Sequence, residues 1–97
     1  MLFALICTDK PNSMALRQEV RPKHLAYIEQ SKTKVALAGP FLSEDGQSMV
    51  GSLIVVEALN IAEAKAFSAN DPYALAELFS GVEIKPWRWV VGAPKVV

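Results

Sequence analysis

The stretch "SEDGQSMVGSLIVVEALNIAEAKAFSA", residues 43–69, holds a turn, a strand and a capped helix in succession. Asp45 and Gly46, set among polar residues, mark a hairpin turn. Residues 49–58, "MVGSLIVVEA", read as the strand that leaves it, rich in β-branched and apolar side chains. Asn60 then caps a helix, with Glu63 three residues on in a capping-box-like pattern, and "IAEAKAFSA" supplies the helix body until "NDP" stops it. Successive strand residues point to opposite faces, so Leu53 and Val55 look one way and Ile54 and Val56 the other. This strand is apolar on both sides.

Working outward, residues 2–8, "LFALICT", form a first strand followed by the turn cluster "DKPNS". Ser13 is placed to cap a helical segment starting at Met14. The residue before a proline is biased away from the helical region, so a break is expected near Arg21, with Pro22 in the first turn of a second helical piece reaching Gln30. A kinked continuous helix is the alternative. "VALAGPFLS" from Val35 is a second strand, and Gly39 and Pro40 put it at a sheet edge or a bulge. After residue 72, "YALAELFS" reads as a short helical piece and "VEIKPWRWVV", residues 82–91, as the last strand, with Trp87 and Trp89 on one face of it. The order is β-α-β-β-α-β, the ferredoxin-like α+β arrangement of an antiparallel sheet with its helices on one face. Phe3 and Leu5 oppose Leu2 and Ile6 in the first strand, so the second sheet face is apolar as well. The expected cover for it is a second copy, giving a homodimer through sheet faces, with higher oligomers left open.

At 97 residues the chain makes one domain, residues 1–97, and 52% hydrophobic with 21% charged residues is an ordinary globular balance. Ten basic and ten acidic residues cancel, and no run of like charge exceeds two, which argues against nucleic acid and against an anionic membrane as partners. The opening "MLFALICT" has no basic leader and meets Asp9 and Lys10 at once, so it is too short for a signal peptide or a spanning helix. The single cysteine, Cys7, suits a reducing cytoplasm and reads as a small buried apolar residue. One histidine and one cysteine fall short of any metal ligand set, and neither a phosphate-binding glycine loop nor a Gly-x-Ser-x-Gly elbow is present. The expectation is therefore a protein without metal or cofactor, whose chemistry is acid-base.

Three groups of residues add a resemblance. "DKPNSMALRQEVRPKHLAYI", then "LAGPF" with "DG" and "GSLIVVEA", then "NDPYALAELFSGVEIKPW", follow in order the pattern of the YCII-related (YciI-like) proteins. The resemblance implies a dimeric ferredoxin-like α+β barrel, a fold also used by muconolactone isomerases and small cofactor-independent monooxygenases. It further implies a site centred on a histidine and an aspartate, which map onto His24 and Asp71.

Topology brings the same residues together independently. The end of the first strand, the start of the first helix and the loop after the second helix share one rim, which gathers Asp9, His24 and Asp71. A carboxylate on one imidazole nitrogen leaves the other free as acid or base. Asp71 is the preferred partner and Asp9 the second choice, although either is also an ordinary turn residue beside a proline. Arg17 and Arg21, four apart on one helical face, could bind an anionic group or simply be solvated. Gly39 and Pro40 could allow close approach of a ligand or merely end a strand, and Tyr73 could lend a hydroxyl or only pack. The leading expectation is acid-base chemistry (isomerisation, elimination or hydrolysis) on a small anionic metabolite. The alternatives are a non-catalytic ligand-binding or accessory dimer and a cofactor-free monooxygenase.

Overall fold

The computed structural model describes residues 1–94; residues 95–97, the end of the expected domain, lie outside the described residues. The elements are β1 (Leu2–Asp9), α1 (Met14–Gln30), β2 (Val35–Leu42), β3 (Met49–Glu57), α2 (Ile61–Ala69), α3 (Pro72–Leu75) and β4 (Phe79–Trp87). The strands form one sheet in the order β2-β3-β1-β4 with every neighbouring pair antiparallel. This is the ferredoxin-like α+β fold. Among the described residues no helix is long and apolar enough to cross a membrane.

Strand alternation decides what lies under the helices. Phe3, Leu5 and Cys7 of β1 join Ile54 and Val56 of β3, together with Ala58 and Ala64, in one buried cluster, and Ile28, Val35, Phe67, Phe79 and Ile84 pack against it. The register pairs Leu5 with Ile54 and Ile84, and Cys7 with Ser52, so this row is continuous across the sheet. Asp9 and Ser52 extend the same row, which places two polar residues beneath α1. Gly51 sits where β2 slips register against β3, and a Cβ there would collide with the Cys7 carbonyl oxygen, so the strands can approach only with glycine at this point.

The helix-free face carries Leu2, Ala4 and Ile6 of β1, Leu53 and Val55 of β3 and Leu37 of β2, as the register requires. Leu2, Ile6, Leu37 and Leu53 are only half-buried. The second apolar face is therefore real, and Val56 belongs to the core while Val55 faces away from it.

Four expectations need correction. Ser13 stands at the N-cap position of α1, but its side chain makes no capping bond and its hydroxyl turns to the Pro11 carbonyl. The break at Arg21 does not occur: α1 is one helix of 17 residues with Pro22 inside it. Proline removes the donor that Gln18 would accept from, but Pro22 is on the exposed side, where water can serve that carbonyl. Buried Arg17 and His24 lie two turns apart on the inner face and anchor both halves. The helical piece before the last strand is shorter than expected, Pro72–Leu75, and Glu77 takes a left-handed conformation (φ 60°) that turns the chain into β4. Finally, β4 begins at Phe79 and ends at Trp87, so Trp89 is not on the strand: its Nε1 donates to the Val91 carbonyl, and its ring is tilted against Trp87.

The Cys7 thiol is pushed from its ordinary 9.0 up to about 12, first by burial, then by the charges of Asp71 and Asp9, with Arg17 opposing. Between those values the unfolded chain gives up a proton that the folded chain keeps. The contribution is thus fully present below 9.0 and is lost as pH rises toward 12, by at most about 1.4 kcal/mol per pH unit. Urea melts of wild type and Cys7→Ala from pH 8 upward should show the steeper alkaline loss in wild type; parallel curves would exclude this account. Native Cys7 should also resist thiol reagents that modify it readily in urea.

Candidate active site

The inner face of α1 presents Arg17, Arg21, His24 and Ile28, one or two turns apart, over the open side of the sheet between β2 and β3. A cleft of about 210 Å³ lies there. Arg21, His24 and Tyr73 line one side, and Ala38 and Pro40 of edge strand β2 with Ser52 of β3 line the other.

Asp71 reaches His24 by way of a cap. The Asp-Pro step fixes Pro72 at the first position of α3, and the Asp71 side chain accepts from the Tyr73 amide at 2.9 Å. The same carboxylate faces Nδ1 of His24 at 2.9 and 3.0 Å from its two oxygens. Asp71 is 2% exposed and His24 8%. The carboxylate that accepts the Tyr73 amide hydrogen can accept again from Nδ1, which leaves Nε2 as the ring nitrogen turned away from Asp71. Among the described residues no buried side-chain nitrogen or oxygen lacks a partner, so Nε2, which bonds to none of them, opens toward the cleft. The capping and His-orienting uses of Asp71 coexist.

Asp9 serves a different residue. Arg17 Nε donates to Asp9 Oδ2 at 2.7 Å, and Nη2 donates to Asp9 Oδ1 at 3.0 Å and to the Ser52 hydroxyl at 2.8 Å. Asp9 is thus not the partner of His24, and Arg17 is neither solvated nor free. Burial alone would loosen the Arg17 proton, but the bond and charge of Asp9 outweigh it and hold the guanidinium charged. Ser52 had gone unnoticed in the sequence. Its signal was the strand period, which sets a hydroxyl in the same inward row as Ile54 and Val56.

Tyr73 joins the two pairs. Its ring stacks on the His24 imidazole at 4.0 Å and 17°, and the Arg17 guanidinium carbon lies 4.6 Å from its centre. The His24 plane is therefore held by a ring against its face and a carboxylate at its edge. Burial pushes the Tyr73 hydroxyl above its ordinary value, Arg17 and Arg21 pull it back, and Asp71 adds to the rise. Gly39 and Pro40 border the cleft, and Arg21 stands exposed at it. Groups of His, Cys, Asp and Glu able to hold a metal ion are absent among the described residues.

Fold and site together define a small ferredoxin-like α+β protein with an imidazole-carboxylate pair facing a cleft between its first helix and its sheet. The chain belongs to the YCII-related domain family, which matches residues 1–88. Protein YciI of Escherichia coli O6:H1 and an uncharacterized protein of Haemophilus influenzae are each 30% identical over 97 residues, covering 93% of this chain and 99% of the relative. Among solved structures, the 5-chloro-2-hydroxyhydroquinone dehydrochlorinase TftG of Burkholderia phenoliruptrix AC1100, in complex with 2,5-dihydroxybenzoquinone, is 33% identical. It superposes with a TM-score of 0.85 over 97% of this chain and 100% of that one. Protein Atu4242 of Agrobacterium tumefaciens, 15% identical with a TM-score of 0.56 over 99% of this chain and 100% of that one, shares the fold.

Proposed function

We propose that the chain is a small cofactor-independent enzyme in which His24 transfers a proton, Asp71 orients it, and the substrate is a compact anionic molecule. The observation that carries this reading is the His24 Nδ1 contact to buried Asp71, which leaves Nε2 as an acceptor on the cleft. Of the reactions such a pair serves, elimination is best supported, because the similar TftG is a dehydrochlorinase and removal of HX needs a base and no redox partner. Nε2 takes a proton from an acidic O–H or C–H of the substrate. The freed pair forms a new π bond, the leaving group departs with its own bonding pair, and His24 returns its proton to water.

The test is halide release and absorbance change across a panel of halogenated hydroquinones and 2-hydroxy acids, with and without the protein. Release that tracks protein concentration supports the reading, and a panel with none overturns the elimination.

The apolar helix-free face supports a second element of the proposal, a homodimer packed sheet to sheet. Sedimentation at micromolar concentration should give a dimer for wild type. Leu53→Glu should give a folded monomer, because Leu53 faces out of the core. A wild-type monomer would remove the dimer from the proposal.

A further inference from the structure

Three basic side chains border the cleft, and no carboxylate does among the described residues. They are not equivalent. Arg17 is matched by Asp9 and further held by Ser52, and His24 faces Asp71. Arg21 is exposed, and among the described residues no carboxylate lies within 4.0 Å of it. It sits one turn before His24 on the same helical face, where such neighbours have Cβ atoms about 5–6 Å apart. Its charge is felt inside the site, since it lowers the proton affinity of the Tyr73 hydroxyl. The rest of the lining is largely apolar, with Ile28, Met49 and Ile54 beside the Tyr73 ring, Ala38 and Pro40, which suits the carbon frame of a small molecule. At about 210 Å³ the cleft lies below the roughly 300–1,000 Å³ of drug-sized sites.

We infer that Arg21, rather than Arg17, is the anion-recognition residue of the cleft, and that it selects compact acids whose charged oxygen lies about 5 Å, one helical turn, from the atom that exchanges a proton with His24. A six-membered ring bearing an ionised hydroxyl opposite its reacting position has these dimensions, and so has a short unsaturated acid. The position of the reacting atom rests on the proposed role of His24; the anion site at Arg21 does not.

The experiment measures binding of 2,5-dihydroxybenzoquinone, an acidic ring ionised at neutral pH, and of its neutral dimethoxy analogue, by titration calorimetry at two salt concentrations. Wild type should prefer the acid. Arg21→Gln should weaken the acid by about 10- to 100-fold, flatten its salt dependence and leave the neutral ring unchanged, while Arg21→Lys restores most of the difference. Melting curves should match wild type, since Arg21 is exposed. Equal binding of acid and neutral ring by wild type, or an Arg21→Gln variant that binds the acid as wild type does or loses both rings alike, overturns the inference. His24→Asn separates the two proposals: full turnover in that variant would overturn the acid-base reading while leaving the acid-over-neutral preference at Arg21 intact.

Discussion

His24→Asn is expected to lose about 10² to 10⁴-fold in turnover while the fold survives. Asparagine places an amide nitrogen where Nδ1 of the ring stood, so Asp71 keeps a donor in addition to the Tyr73 amide. What disappears is the titratable Nε2 on the cleft and the stacked ring against Tyr73. Loss of that stack and a less favourable hydrogen bond should cost about 1–2 kcal/mol, a melting shift of several degrees in a domain of this size. Asp71→Asn should show the same kinetic defect by another route. An amide can donate to Nδ1, which moves the ring proton to Nε2 and leaves no base facing the cleft. The measurement pairs thermal melts with initial rates on whichever substrate the panel yields. A His24→Asn protein that melts far below wild type yet keeps full turnover would make the histidine structural and would falsify the catalytic role.

The geometry around His24 was legible in the sequence to different depths. The β-α-β-β-α-β order could be read because several boundaries carried their own local chemistry: the Asp45-Gly46 turn, the Asn60 cap, and the Asp71-Pro72 start of α3. The Asn60 side chain does accept from the Glu63 amide. Alternation likewise separated the two rows of β1, but both are apolar, so which of them faces the helices could not be read from it. Pro22 misled because a local steric bias argued for a break, whereas the inner face of the helix is anchored on both sides of it by Arg17 and His24. Local bias was outweighed by tertiary contacts. Asp71 was already the preferred partner of His24, but the pairing of Asp9 with Arg17 was not available, since it depends on which carboxylate the tilt of α1 sets opposite which side chain. Arg17 at 2% exposure could not have been told from a solvated arginine by spacing, because Arg21, four residues on, has the same spacing and is exposed.

That Asp9–Arg17 pair is where the largest change in stability should fall. The two side chains are 4% and 3% exposed, and the guanidinium donates two bonds to one carboxylate. Asp9→Ala leaves a buried cation with only the Ser52 hydroxyl and the face of Tyr73, at an expected cost of about 3–5 kcal/mol, which is a large part of the roughly 5–15 kcal/mol available to a domain. Arg17→Met strands the opposite charge and should cost a similar amount. The double variant should be more stable than the sum of the two losses predicts, because it buries no unpaired charge. Urea unfolding of the four proteins closes this cycle. An Asp9→Ala loss below about 1 kcal/mol would mean that water reaches the guanidinium and that the pair is held no more tightly than a surface one. The consequence extends to the site, because Arg17 lies two turns before His24 on the same face of α1 and its bonds to β1 and β3 fix the helix over the sheet. Asp9→Ala should therefore lower turnover below that of wild type, although less than His24→Asn does, under conditions where both are fully folded. The pair would then act as a positioning element, and its effect should appear in kcat without altering the pH profile of turnover.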